Sequence, residues 1–133
     1  MKLFNVEKLI IKAALTGMIP MKGDTPNVPI TPEEIAKDAD KVIKAGATVL
    51  HIHARDKDGK PTHKSDVFKE IFDPIYEKHP DIILCATTSG RVTPQVEHRA
   101  EVLSLNPEMA SLTVGSMNFP KSVSYTHLTL PTN

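Results

Sequence analysis

The chain has 133 residues, 40% of them hydrophobic and 24% charged, and its 16 basic side chains balance 16 acidic ones. That is the ordinary composition of one globular cytoplasmic unit and excludes an intrinsically disordered chain. Zero net charge, with no Lys/Arg cluster among aromatics, argues against a nucleic-acid partner, and no apolar run nears the roughly 20 residues of a membrane span.

Leu9-Ile10-Ile11-Lys12-Ala13-Ala14-Leu15 reads as a first strand buried over most of its surface, and no signal-peptide organisation precedes it. Thr16-Gly17-Met18-Ile19-Pro20 opens a loop running to Pro29, too long for a tight turn. Thr31-Pro32-Glu33-Glu34 then predicts a helix start. Thr31 can cap, Pro32 suits the first helical position, and Glu34 completes a capping box. Ile35, Ala39, Val42 and Ile43 recur at helical spacing, and Gly46 is a natural terminator. Lys37, Asp38, Asp40, Lys41 and Lys44 form the solvated face.

A second strand runs through Ala47-Thr48-Val49-Leu50 to His51-Ile52-His53, followed by a polar, turn-rich loop from Asp56 to Pro61. Ser65 is placed to cap a helix carrying Phe68, Ile71, Phe72 and Ile75, which Pro74 should kink or shorten. Residues 82–87 read as a third strand. Its Cys85 is the only cysteine, so no internal disulfide framework exists, and it reads as a small core hydrophobe rather than a nucleophile. Thr93-Pro94 opens a third helix with Val96, Ala100 and Leu103 on one face, and residues 109–114 read as a fourth strand. Residues 122–133 contain no Asp, Glu, Lys or Arg and continue no earlier period. The stretch from Val123 to Leu128 reads as a translated sequencing-library adaptor. The expected organisation is therefore a partial catalytic domain over 1–121 and a non-native tail over 122–133.

The resulting order, β-α-β-α-β-α-β with near-continuous hydrophobic strands, predicts an α/β fold with a parallel sheet covered by helices. It suits half of a (β/α)8 barrel or a doubly wound sheet. No Gly-x-Gly-x-x-Gly follows the first strand, which counts against a dinucleotide-binding fold.

In such folds sites form at the carboxyl ends of the strands. Thr16-Gly17, His51 and His53, Thr87-Thr88-Ser89-Gly90, and Ser111 with Thr113 collect there. Residues two apart on a strand share a face, so His51 and His53 can supply half of a zinc shell, although imidazole also suits copper, nickel and iron. The Thr87–Gly90 hydroxyls and backbone N–H groups can orient a carboxylate or form an ordinary turn. Arg91 can pair with an anion or stay solvated. His63, His79 and His98 read as solvated.

These segments together resemble the β-keto acid cleavage enzyme family, typified by 3-keto-5-aminohexanoate cleavage enzyme. Residues 9–120 carry the resemblance, through Ala13-Ala14-Leu15-Thr16-Gly17, Pro26 to Ala36, Ala45 to Asp56, Asp58-Gly59-Lys60-Pro61, Thr87-Thr88-Ser89-Gly90, Pro107 to Leu112, and Gly115 to Phe119. It implies the N-terminal half, about four β/α units, of a (β/α)8 TIM barrel that is homo-oligomeric and zinc-dependent. It further implies His51 and His53 as metal ligands and Thr87, Gly90 and Ser111 as substrate contacts. The implied reaction joins a β-keto acid and acetyl-CoA to give acetoacetate and a shortened acyl-CoA. Where the family has an acidic residue two positions after the Thr-Gly, this chain has Ile19. The family's carboxylate zinc ligand and its catalytic Asp and Arg lie in later strands, beyond this sequence.

Two alternatives stand beside that reading. Metal-dependent hydrolase barrels also use a His-x-His pair, but on strand one, whereas a complete β/α unit precedes it here. The chain as it stands is otherwise an inactive fragment, since four strands cannot close an eight-stranded barrel and leave apolar edges open to association.

Overall fold

The computed structural model describes residues 9–90 and 95–112 and the backbone of 117–119 and 122–124. In chain order the elements are β1 (Lys12–Leu15), α1 (Pro32–Lys44), β2 (Val49–Ile52), β3 (Ala54–Arg55), β4 (Pro61–Thr62), α2 (Ser65–Lys78), β5 (Ile83–Ala86), α3 (Val96–Ala100) with a 3₁₀ turn over Glu101–Leu105, β6 (Met109–Ala110), β7 (Met117–Phe119) and β8 (Ser122–Ser124). Strands β1, β2, β5 and β6 form one sheet in that order, and each neighbouring pair is parallel. This is the α/β arrangement expected of the first part of a (β/α)8 barrel.

One face of the sheet carries the core. Leu15, Leu50, Ile52, Leu84 and Ala86 meet Ile35 and Ala39 of α1, Phe68, Ile71, Phe72 and Ile75 of α2, and Val102. The alternate residues point the other way: Lys12 lies level with Val49, Ala14 with His51, and His51 with Cys85. That second face corresponds to a barrel interior.

Helix α1 begins as its sequence dictates. Glu34 N–H donates to Thr31 Oγ1 at 3.3 Å, while Glu34 Oε2 accepts from the Thr31 N–H at 3.2 Å. Gly46 follows the helix with a φ of +108°, a conformation that L side chains rarely adopt.

Several local expectations change. β1 is shorter than the apolar run, leaving Leu9 and Ile10 exposed. The polar loop is the tip of a small antiparallel hairpin, β3–β4, pinned by Asp56 Oδ1 accepting the Asp58 and Lys60 N–H groups at 2.9 Å. Ser65 is the first residue of α2, not its cap, and its N–H donates to Glu101 Oε1 at 3.1 Å. The helix passes through Pro74 to Lys78, because the turn that loses its hydrogen bond lies on the solvent side with Glu70 and Pro74 exposed. The third helix is short and tightens into the 3₁₀ turn. That change of period buries Val102 fully and leaves Val96 and Leu103 exposed, contrary to the predicted face. β7 pairs antiparallel with β8, and the remainder of the 122–133 segment lies outside the described residues.

Candidate active site at the strand ends

The carboxyl ends of the four parallel strands bring together Thr16-Gly17 after β1, His51 and His53 at β2, Thr87 after β5 and Ser111 after β6. Thr16 and Gly17 both have positive φ, 69° and 74°, which turns the chain sharply away from the sheet. For β-branched Thr16 this is a strained conformation, and its buried Oγ1 has no hydrogen-bond partner.

The two histidine rings lie edge-to-face with centroids 4.8 Å apart. Burial, then the neighbouring His51, Arg55 and His63, push the pKa of His53 down to about 4. His51 is also lowered, first by burial and then by the Lys12 ammonium. Both rings are therefore neutral at pH 7 with a lone pair free, the form a metal requires. His53 Nδ1 is buried without a hydrogen-bond partner. Such an orphaned nitrogen beside a second neutral imidazole fits half of a zinc shell. Among the described residues no third His, Cys, Asp or Glu joins them.

Cys85 is buried as expected of a core residue, yet its sulfur is not idle. Lys12 Nζ donates to Sγ at 3.2 Å, and His51 Nδ1 lies 3.3 Å from the same atom.

Thr87 is buried, its Oγ1 accepting from the Ser89 N–H at 3.2 Å. Ser111 Oγ accepts from the Thr88 N–H at 3.0 Å, and the Thr88 hydroxyl donates to the Ser111 carbonyl. Both site hydroxyls thus serve as acceptors toward the backbone, leaving their protons for a ligand. Gly90 is closely approached by Arg99, which a Cβ there would meet at 2.5 Å from Nη1. Arg91 and Thr113 lie outside the described residues.

Two groups escaped the sequence reading. Arg55 is buried and donates to the backbone carbonyls of Gly17 at 2.9 Å, Pro20 at 3.1 Å and Gly59 at 2.9 Å, and to the Met21 sulfur at 3.6 Å. It ties the loop after β1 to the β3–β4 hairpin and places a positive charge under the mouth. His63, expected to be solvated, is buried with Nε2 unpartnered, its pKa lowered by burial and then by Arg99. His79 is half-buried against Asp40 at 2.9 Å, whereas His98 is exposed as expected. Arg55 had a weak signal, lying two residues beyond His53. His63 had none, because its burial depends on Ser89 and Arg99, which lie far from it in sequence.

The chain matches the family model described as beta-keto acid cleavage enzyme over residues 8–130. It belongs to the β-keto acid cleavage enzyme family. The curated relatives of this family member include the 3-keto-5-aminohexanoate cleavage enzyme of Acetoanaerobium sticklandii, 46% identical over 114 residues. That alignment covers 86% of this chain and 42% of the relative. The 3-oxoadipate:acetyl-CoA acetyltransferase of Cupriavidus necator is 42% identical, covering 86% of this chain and 40% of that protein. The chain therefore spans about two-fifths of the curated relatives it matches. A ternary complex of ObcA with a C4-CoA adduct and oxalate superposes with a TM-score of 0.66 at 24% identity, covering 75% of this chain and 26% of that one. The family match favours the cleavage-enzyme reading over the hydrolase barrel.

Proposed function

We propose that this chain supplies the first half of the mouth of a zinc-dependent enzyme that cleaves a β-keto acid with acetyl-CoA. The overall exchange breaks the bond between the keto carbon and the methylene. The acyl group leaves on CoA and the acetyl group joins the methylene, giving acetoacetate and a shortened acyl-CoA. The observation that carries the reading is the pair of half-buried imidazoles, one with an unpartnered Nδ1, at the end of a central parallel strand and flanked by strand-end hydroxyls.

His51 and His53 would hold the zinc. When bound, it supplies Lewis acidity toward the keto-acid oxygens. Thr87 and Ser111 present hydroxyl protons to the substrate's oxygens, and Gly90 gives the backbone close access. Arg55 contributes fixed positive potential beneath an anionic substrate while holding the first loop in place. Ile19, half-exposed on that loop, offers no counter-charge to a cationic substrate end, which favours a keto acid without an amino group. Cytoplasmic location and homo-oligomeric assembly belong to the same proposal. Among the described residues, no helix is long and apolar enough to cross a membrane.

The test joins residues 1–120 to the later barrel strands of the Acetoanaerobium sticklandii relative. Acetyl-CoA-dependent acetoacetate formation from a β-keto acid supports the proposal. A folded, zinc-loaded hybrid that forms no acetoacetate from any of a panel of β-keto acids overturns it.

A further inference from the structure

We infer that Cys85 is a positioning residue for His51: its sulfur, engaged by Lys12, accepts the Nδ1–H of the ring and so presents the Nε2 lone pair to the cation at the strand ends. The inference rests on the zinc reading above but concerns this chain's own residues.

Three facts of placement carry it. The parallel register sets His51 level with Cys85 on the neighbouring strand, so the two side chains emerge side by side on the inner face. The Sγ–Nδ1 separation is 3.3 Å, within hydrogen-bonding reach for sulfur. Lys12 reaches the same sulfur from the strand on the other side, at 3.2 Å. A lysine ammonium has only donors, so the sulfur faces Lys12 as an acceptor. A cation beside the sulfur favours electron density on that atom and opposes its acting as a proton donor toward the ring. The ring then carries its proton on Nδ1. Metal-bound histidines ordinarily give their second N–H to an acceptor that fixes tautomer and ring plane. Here that acceptor is a thiol in the barrel interior rather than a carboxylate.

A purely structural Cys85 and a positioning Cys85 predict opposite orders for two substitutions. Cys85→Val preserves apolar bulk but removes the acceptor. Cys85→Ser keeps an acceptor at the cost of apolar contact. The full chain, labelled with ¹⁵N-histidine and kept reduced, is read first without metal by long-range ¹H–¹⁵N correlation and then by Zn²⁺ titration, with circular dichroism as a check on folding. The expected result is an Nδ1–H tautomer at His51 in the parent chain and in Cys85→Ser. In Cys85→Val the tautomer shifts toward Nε2–H and zinc binds roughly 10–100-fold more weakly. An Nε2–H ring in the parent chain overturns the inference, as does a Val variant with unchanged tautomer and affinity. Should the parent chain, which supplies two ligands only, bind no zinc, the tautomer comparison still decides the role of Cys85, and the hybrid with the later barrel strands decides the metal reading.

Discussion

Replacing Arg55 by Met removes every donor that holds the first loop while keeping a long apolar stem. Four guanidinium N–H···O contacts end on Gly17, Pro20 and Gly59. Bonds to a charged donor are worth roughly 1.5–3 kcal/mol each, so the gross loss starts at about 6 kcal/mol. Two effects offset it. A buried cation without a carboxylate partner carries a desolvation cost that the variant no longer bears. The Gly17 and Pro20 carbonyls also come from part-exposed residues and regain water, whereas Gly59 is buried and its carbonyl stays dry. The net destabilisation is then about 2–4 kcal/mol, with the dry carbonyl alone accounting for roughly 1–3. Urea unfolding followed by far-UV circular dichroism gives the global value. It is run at fixed protein concentration, since association would shift the midpoint. Amide exchange gives the location: protection should fall first across residues 17–21 and 56–60. A variant within about 0.5 kcal/mol of the parent, or one that loosens α1 instead, would show that Arg55 does not clamp the loop.

The remaining expectations are more compact. The Glu34 carboxyl sits at about 2, held down first by Lys22 and then by the Ile30 and Thr31 N–H groups. Its folded value lies below its unfolded value, so it stabilises the fold above the ordinary carboxylate range and loses that effect as pH falls toward 2. Acid titration of the parent and of Glu34→Gln should show this slope in the parent only, and identical curves would refute the assignment. In the hybrid completed by the later barrel strands, the double variant His51→Ala/His53→Ala should lose zinc, measured as bound metal per chain after dialysis, and undiminished metal would sink the ligand assignment. Phe68→Ala removes a fully buried ring at the centre of the helix–sheet interface and should cost about 3–5 kcal/mol in unfolding free energy. The 133-residue chain alone should form no acetoacetate from acetyl-CoA, and measurable turnover would overturn the view that ligands and base come from later strands.

The architecture was legible because its signals are local and mutually consistent. Thr31-Pro32-Glu33-Glu34 carries its own cap, and the Ile35/Ala39 period faces the sheet as written. The histidine pair was legible because strand periodicity alone puts two residues on one face. Long-range features were hidden. Nothing in the sequence sets Cys85 beside His51, since that neighbour relation follows from the parallel register of two strands more than thirty residues apart. Arg55 was hidden because its oxygen partners are all backbone carbonyls, which leave no trace in residue identity. The third helix misled because a 3₁₀ turn shifts the period that selected Val96, Ala100 and Leu103.

Thr16 gives the mouth a different significance. A β-branched residue in left-handed backbone, with a dry hydroxyl, is a poor choice for stability at that point. Glycine there would relax the backbone and delete the orphaned oxygen together, and should raise the melting temperature. That such a simple improvement is open marks the exit of the first strand as a place where robustness and performance pull apart. Directed evolution for heat tolerance should find position 16 early, and selection for turnover should take it back.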